Sequence, residues 1–459
     1  MQKTVGRSVR ASSPREPGVT QPRYYNRVLG KLGPTQLVAV CSLRFARSFK
    51  NYPPATIKKA ARFIEAFGLR VPILVDSERN VVCGDVWALA HKQLELPEIP
   101  ALFAEGLSTD QLKAYRLGMA RIPELGDWDD EVLAEAFADW SSRDLDFDIE
   151  LPGFDTPEID SFVEQFGANA SLEDKEDANH DEDRGPQITK PGDMWKCGRH
   201  LILCGNSSDE SAFYQLLKNE KANAVVTDPP YNVAVNGHVG GKGQIHHREF
   251  AMASGEMTSA QFVEFLTAFM RNCISYSVDG SLHYIFMDWR HAQELLRAAG
   301  GLYTELKNIA VWIKSNGGMG SFYRSRHELA FIYKSGKAAH RNNVQLGRFG
   351  RNRTNVWEYA GANGFNGRTT EEGHLLGMHP TVKPVQMLAD ILLDCTSRGD
   401  IVLDPFLGSG STLIAAERVG RKLRAIEIDP RYVDVSIRRW QRHTGDHAIH
   451  ADTGGPFKG

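Results

Sequence analysis

The stretch that most constrains this 459-residue chain is Asp228-Pro229-Pro230-Tyr231, which follows the apolar run at residues 224–227. The run predicts a buried strand, and the prolines predict a stiff turn after it, because each proline fixes its backbone φ and lacks an N–H. The turn presents a carboxylate, free carbonyl acceptors and an aromatic ring. These groups can hold a flat ring that carries an amino group, stacked on Tyr231 and donating to Asp228 and the Pro229 carbonyl. An ordinary tight turn after a strand is the alternative.

A second strand, at residues 400–404, runs into a glycine-rich turn and then a helix. The turn reads Asp404-Pro405-Phe406-Leu407-Gly408-Ser409-Gly410-Ser411-Thr412. Glycine lets backbone N–H groups approach a ligand closely, and Glu427 ends the next strand 19 residues after Gly408, where nucleoside-binding folds bind ribose hydroxyls. The turn lacks the Gly-Lys-Ser/Thr ending of a P-loop, which disfavours an ATPase. Because ligands bind at the carboxyl ends of parallel strands, we expect the two turns to face one site.

The order of strands and helices predicts a fold of the α/β class. From residue 192 onward they alternate, which predicts a doubly wound, mostly parallel sheet, and a smaller α/β domain precedes it. The length of the chain favours two or three domains. The predicted divisions are a disordered tail (1–34), the smaller domain with a helical extension (35–167), an acidic linker (168–190), the larger domain (191–445) with a recognition region near 307–375, and a tail (446–459).

The net charge of −3 hides two regions of opposite sign. Residues 172–183 hold seven acids against one lysine, whereas residues 307–353 hold ten lysines or arginines against one acid, Glu328. The basic segment carries interleaved aromatic residues, which favours nucleic-acid contact over a merely solvated face. The candidate DNA-binding residues are Lys314, Arg324, Arg326, Arg341, Arg348, Arg351 and Arg353. The six scattered cysteines predict reduced thiols and no metal site, and no apolar run is long enough for a membrane span, so we expect a cytoplasmic protein.

Residues 192–442 resemble an S-adenosylmethionine-dependent DNA amino-methyltransferase of the β group, in which the Asp-Pro-Pro-Tyr motif precedes the Phe-x-Gly-x-Gly motif. The resemblance implies a Rossmann-like fold, double-stranded DNA as partner, pairing of two copies, and a role in DNA methylation and restriction-modification. It also implies an S-adenosylmethionine pocket in which Glu427 binds the ribose. Lys383 would bind the methionine carboxylate, and it lies in the segment His379-Pro380-Thr381-Val382-Lys383-Pro384. The implied cofactor-binding residues are Asn206, Lys383, Asp404, Phe406, Gly408, Ser409, Gly410, Thr412 and Glu427.

The implied reaction is methyl transfer to an exocyclic amine of a base that has flipped out of the duplex. Asp228, Pro229, Pro230 and Tyr231 are the implied catalytic residues. An aspartate, rather than a serine, at the first position resembles adenine-directed members, so we expect adenine N6 as the target. Cytosine N4 methylation is the alternative, and a DNA-binding protein with an inactive methylase domain is a third hypothesis.

The smaller domain resembles the ParB-like N-terminal domain. The resemblance lies in Leu69-Arg70-Val71-Pro72-Ile73-Leu74-Val75-Asp76 followed by Val81-Val82-Cys83-Gly84. Its nucleotide-handling loop usually runs Gly-x-x-Arg, whereas here Gly84 is followed by Asp85, Val86 and Trp87. The departure favours an accessory or DNA-docking role over nucleotide binding or nuclease activity. Such a fusion resembles phage and mobile-element proteins.

Overall fold

The computed structural model describes residues 34–45, 49–143, 145–166, 185–232, 255–314, 322–345, 352–359 and 382–458. They divide into two compact units. The first runs to Trp128 and includes Leu151–Gly153, and the second comprises Asp129–Glu150 and the chain from Phe154 onward. Within the described ranges, no helix is both long and apolar enough to cross a bilayer.

The first unit is a small α/β sheet with helices. Its elements are β1 (Gln36–Ala39), α1 (Pro54–Phe67), β2 (Ile73–Val75), β3 (Val81–Cys83), α2 (Asp85–Gln93), β4 (Glu98–Phe103) and α3 (Thr109–Arg121). The strand order is β1-β4-β2-β3, with only the β2–β4 pair parallel. Gly84 has a φ of +95°, and a Cβ there would lie 2.6 Å from the Ile73 side chain, so only glycine fits between β3 and α2. The likeness to a ParB-like domain stays a prediction.

The second unit contains a ten-stranded sheet. Its elements are α4 (Asp130–Ser142), α5 (Thr156–Phe166), β5 (Met194–Cys197), β6 (His200–Cys204), α6 (Glu210–Leu217), β7 (Ala222–Thr227), α7 (Ser259–Ser275), β8 (Ser277–Met287), α8 (Ala292–Ala299), β9 (Glu305–Ile313), β10 (His327–Lys334), β11 (Val356–Glu358), α9 (Val385–Cys395), β12 (Ile401–Asp404), α10 (Ser411–Arg418), β13 (Lys422–Glu427), α11 (Pro430–Thr444) and β14 (Ile449–His450). The strand order is β11-β9-β10-β8-β7-β12-β13-β6-β5-β14. The five central strands, from β8 to β6, are parallel to one another, whereas β10, β5 and β14 are antiparallel to their neighbours.

Helices cover both faces of this sheet, which confirms the predicted doubly wound α/β fold. Successive residues of a strand point to opposite faces, and two buried clusters follow this alternation. Val226 and Val402 belong to the cluster that includes residues of α9, α10 and α11. Val225 and Leu403 belong to the cluster that includes residues of α6, α7 and α8. Since both faces are buried, the central strands read as continuous apolar runs in the sequence.

The helices α4 and α5 lie in the second unit, although the predicted boundary at residues 167–168 placed them with the first. Asp160 on α5 is buried and forms ion pairs with Arg421 (2.8 Å) and Arg398 (3.0 Å). Ile159 beside it is fully buried. The boundary therefore differs because α5 supplies the counter-charge for two arginines more than 200 residues away.

Candidate active site at the carboxyl edge of the sheet

Three carboxylates follow or end three neighbouring strands of the parallel sheet. Asp228 follows β7, Asp404 ends β12 and Glu427 ends β13. The register pairs Leu403 with Val225, and β12 with β13, so the three carboxyl ends are side by side. The predicted meeting of the Asp228 turn and the glycine-rich turn at one sheet edge is therefore confirmed.

A hydrogen bond joins the two turns at their base. The Thr227 hydroxyl donates to the Asp404 carboxylate over 2.9 Å, and the Phe406 N–H donates to the same oxygen over 3.1 Å. Burial raises the pKa of Asp404 to about 6, although these donors and Thr412 act in the opposite direction. The turn is thus fixed to β7 before any ligand enters. The Phe406 ring packs edge-on against Phe269 of α7, at 5.1 Å between centroids.

The glycine-rich turn needs glycine for two different reasons. Gly410 precedes α10 with a φ of +86°, and a Cβ there would lie 2.8 Å from the Ser436 hydroxyl on α11. Gly408 has a φ of +56°, but a Cβ there would meet open space. The turn is therefore close-packed against α11 at Gly410 and open at Gly408. Ser409 lies between them, and its carbonyl accepts from Arg439 over 2.7 Å.

Glu427 is held by backbone donors on both sides. Its two oxygens accept from the N–H of Gly408 (2.8 Å) and of Asp429 (2.9 Å). Burial raises the pKa of Glu427 to about 7, and the neighbouring carboxylates of Asp429 and Asp404 add to this. Each oxygen has a second lone pair, so the side chain can still accept from a ligand hydroxyl. Asn206 follows the next strand, β6, and its side-chain oxygen accepts from the Ser208 N–H over 2.9 Å.

The other half of the edge contains a cluster of paired charges around Asp228. The Asp228 carboxylate accepts from the Tyr231 hydroxyl and is bound by the Lys383 ammonium. The same ammonium lies 3.0 Å from the carboxylate of Glu328, near the start of β10. Burial and the Glu328 charge raise the pKa of Asp228, while Lys383 opposes them. The sequence assigned Lys383 to a cofactor carboxylate, and here two protein carboxylates bind it.

Glu328 was not among the predicted site residues. It is 5% exposed, accepts from Tyr231 over 3.3 Å, and is also bound by Lys314, which follows β9. Burial acts against its ionisation, but the two ammonium groups outweigh this effect and lower the pKa of Glu328 to about 2. The sequence did contain one indication of its role, because Glu328 is the single acidic residue among ten lysines and arginines in residues 307–353.

The predicted DNA-binding residues fall into three groups. Arg324 and Arg326 are exposed, close to the strongly exposed rings of Phe322 and Tyr323. Arg326 also donates from Nε to the Lys314 carbonyl over 2.9 Å. Other side chains have acidic partners: Lys314 binds Glu328, Arg341 lies near Asp400, and Arg353 binds Asp390 and Asp394. Arg348 and Arg351 lie outside the described residues. Trp312, one of the interleaved aromatic residues, is buried in the core.

The residues at this edge fit a nucleoside-type ligand. Gly408 leaves room, Glu427 offers acceptors for hydroxyl groups, and Asp404 adds a buried carboxylate. Beside them, Asp228 and Tyr231 offer an acceptor and a ring to a second, flat ligand. The two subsites lie on adjoining strands, so the arrangement suits group transfer between two bound molecules.

The comparisons with known proteins include a family model that matches part of the second unit. The model of a DNA methylase family, N6_N4_Mtase, matches residues 222–438, just under half of the chain. The chain is 28% identical over 251 residues to the type II methyltransferase M2.DpnII of Streptococcus pneumoniae, covering 50% of this chain and 87% of that protein.

Two solved structures each resemble about half of the chain. One is the M1.HpyAVI complex with S-adenosylmethionine (21% identity, TM-score 0.37, 52% of this chain and 97% of that one). The other is the cytosine-N4-specific PvuII DNA methyltransferase (15% identity, TM-score 0.38, 53% and 89%).

Proposed function

We propose that this protein transfers a methyl group from S-adenosylmethionine to the exocyclic N6 amine of adenine in double-stranded DNA. The observation that carries the proposal is the junction of the two turns, in which Thr227 hydrogen-bonds to Asp404 over 2.9 Å at the carboxyl ends of β7 and β12. The family match over residues 222–438 supports the same chemistry.

The cofactor subsite would use the half of the edge that contains the glycine-rich turn. Glu427 would accept from the ribose hydroxyls, Gly408 would leave space for the ligand, and Asp404 would keep the turn closed onto β7. When bound, S-adenosylmethionine supplies an activated methyl group on a sulfonium, so the protein needs to contribute mainly position and electrostatics. The register of β6 and β13 pairs Cys204 with Glu427, so Asn206, two residues after Cys204, would contribute to the same subsite.

The target base would bind in the half of the edge that contains Asp228. The amine lies inside the stacked duplex, so the base must flip out to reach the site, where the Tyr231 ring would stack on it. One N–H would donate to Asp228 and the other to the Pro229 carbonyl, which aims the nitrogen lone pair at the methyl carbon. After transfer the nitrogen carries an extra proton, and Asp228 accepts it.

Adenine is proposed over cytosine because the motif begins with aspartate. Cytosine N4 is the second candidate, since the matched family covers amino-methylases of both kinds by name. Incubation with methyl-labelled S-adenosylmethionine and duplex DNA, followed by nucleoside mass spectrometry, separates the two products. A product that contains only N4-methylcytosine would overturn the choice of adenine.

The role of Asp228 is tested by Asp228→Ala. We expect methylation to be lost, because the amine then has one acceptor and the product proton has none, while binding of S-adenosylmethionine measured by calorimetry persists. Glu264→Gln, an exposed position on α7, is the control. Undiminished methylation by Asp228→Ala would contradict the assigned role.

A further inference from the structure

The Lys383 ammonium occupies the carboxylate that the proposed reaction needs as an acceptor. It binds one oxygen of Asp228, and the Tyr231 hydroxyl binds the other. Each Asp228 oxygen keeps a second lone pair, but a charged ammonium is a stronger hydrogen-bond donor than a neutral amine and competes with the target amine for the carboxylate. Binding of the base is therefore favoured when Asp228 exchanges the Lys383 ammonium for the target amine.

Lys383 has little freedom to move away from this site. It is 5% exposed, and its ammonium lies over the ring of Phe286, with 5.0 Å between the nitrogen and the ring centroid. The rings of Tyr231 and Trp312 lie at 5.7 and 5.9 Å from the same nitrogen. A buried ammonium without a carboxylate partner is costly, so the exchange needs a second carboxylate that keeps Lys383 paired.

Glu328 is placed to be that second carboxylate. One of its oxygens lies 3.0 Å from the Lys383 nitrogen, and the other is bound by Lys314. Glu328 lies near the start of β10, whose pairing with β8 brings this end of the strand to the carboxyl edge of the sheet. It also accepts from the Tyr231 hydroxyl over 3.3 Å, so it contacts both groups that bind Asp228.

We propose that Glu328 is a positioning residue for the methyl transfer: it retains the Lys383 ammonium while Asp228 exchanges that ammonium for the target amine. The inference rests on the proposed function and adds a residue to its machinery. Glu328 does not itself contact the base. It acts through Lys383 and Tyr231, and without its charge Lys383 stays bound to Asp228.

The test compares Glu328→Gln, which keeps the shape and removes the charge, with Glu328→Asp, which keeps the charge. The full chain is assayed with S-adenosylmethionine and duplex DNA, and kcat, KM for both substrates and the dissociation constant of S-adenosylmethionine are measured. We expect Glu328→Gln to lower kcat roughly ten- to hundredfold, which is the change in rate that corresponds to the loss of one charge-assisted hydrogen bond. The affinity for S-adenosylmethionine should stay within about twofold. Glu328→Asp should keep most of the activity, and Glu264→Gln is the matched control.

The outcomes separate the inference from the function on which it rests. If Glu328→Gln keeps the wild-type kcat, or if the Gln and Asp variants lose kcat and cofactor affinity alike, Glu328 is only structural and the inference is overturned. Should Glu328→Gln fail to fold by circular dichroism, the double variant Glu328→Gln/Lys314→Met restores the charge balance and is judged by the same criteria. A wild-type chain that methylates neither adenine nor cytosine would overturn the proposed function and this inference together.

Discussion

Removal of the Asp160 charge should destabilise the second unit without touching the candidate active site. Asp160 lies on α5, and its carboxylate accepts from both terminal nitrogens of Arg421, at 2.8 and 3.2 Å. Its first oxygen also lies 3.0 Å from Nε of Arg398. Asp160→Asn preserves the shape of the side chain but leaves two buried guanidinium groups without a carboxylate.

The size of the effect follows from burial. Removing one partner of a buried ion pair costs roughly 3–5 kcal/mol, because the remaining charge stays uncompensated. Arg421 keeps its hydrogen bonds to the Thr396 carbonyl (2.9 Å) and hydroxyl (3.0 Å), so we expect the lower end, about 3 kcal/mol. The second unit spans more than 300 residues, so each kcal/mol lowers the melting temperature by about 1.5 °C, which predicts a decrease of about 4–5 °C.

The assay is thermal unfolding followed by circular dichroism, repeated with urea to obtain the free energy of unfolding. Asp146→Asn is the matched control, because Asp146 is exposed in the same unit. We expect the control to unfold with the wild type. If Asp160→Asn also unfolds at the wild-type temperature, the ion pairs of Asp160 do not anchor α5 in the second unit.

Two further predictions concern the ligands. The pKa of Glu427 is raised to about 7, and the ionised carboxylate accepts hydrogen bonds best. Affinity for S-adenosylmethionine measured by calorimetry should therefore fall as the pH is lowered from 8 to 6, about one pH unit either side of 7. Glu427→Gln should weaken binding and flatten this pH dependence, and an equally steep profile in the variant would contradict the role of Glu427. Arg324→Ala and Arg326→Ala should each weaken DNA binding and reduce the slope of log affinity against log salt by about 0.9 for each phosphate that the missing guanidinium group would have neutralised. The control for these two variants is Arg271→Ala on α7, and an unchanged slope would remove the two arginines from the DNA surface.

Local patterns were enough to predict most elements of the sheet and its helices. The start of α7 is an example: the Thr258 side chain accepts from the Gln261 N–H in a capping box, and both residues stand three positions apart in the sequence. The hairpin of β5 and β6 is another, because Gly198 and Arg199 separate two short segments in the sequence. What local patterns could not show was the unit to which α5 belongs, since that depends on ion pairs of Asp160 with residues far along the chain.

The site was predictable in its motifs but not in its charge pairs. The Asp228 turn and the Gly408 turn carry their chemistry within a few consecutive residues, so the sequence displays each of them whole. The charged side chains around Glu328 come from separate segments of the chain, and only folding of the sheet brings them together. A basic residue such as Lys314 therefore reads as a DNA contact in the sequence, while the structure pairs it with a buried carboxylate.

The two halves of the sheet edge differ in the groups that compensate the negative charge of their carboxylates. Asp228 and Glu328 face ammonium groups, whereas Asp404 and Glu427 face hydrogen-bond donors and other carboxylates, and burial raises their pKa values to about 6 and about 7. For Asp404 and Glu427 no cationic side chain in the described ranges offsets the effect of burial, and a cationic ligand beside them would lower their pKa values. The proposed methyl donor is a sulfonium cation, and the proposed acceptor is a neutral base. The half where no described ammonium group binds a carboxylate therefore suits the donor, and the half that already contains Lys383 suits the base.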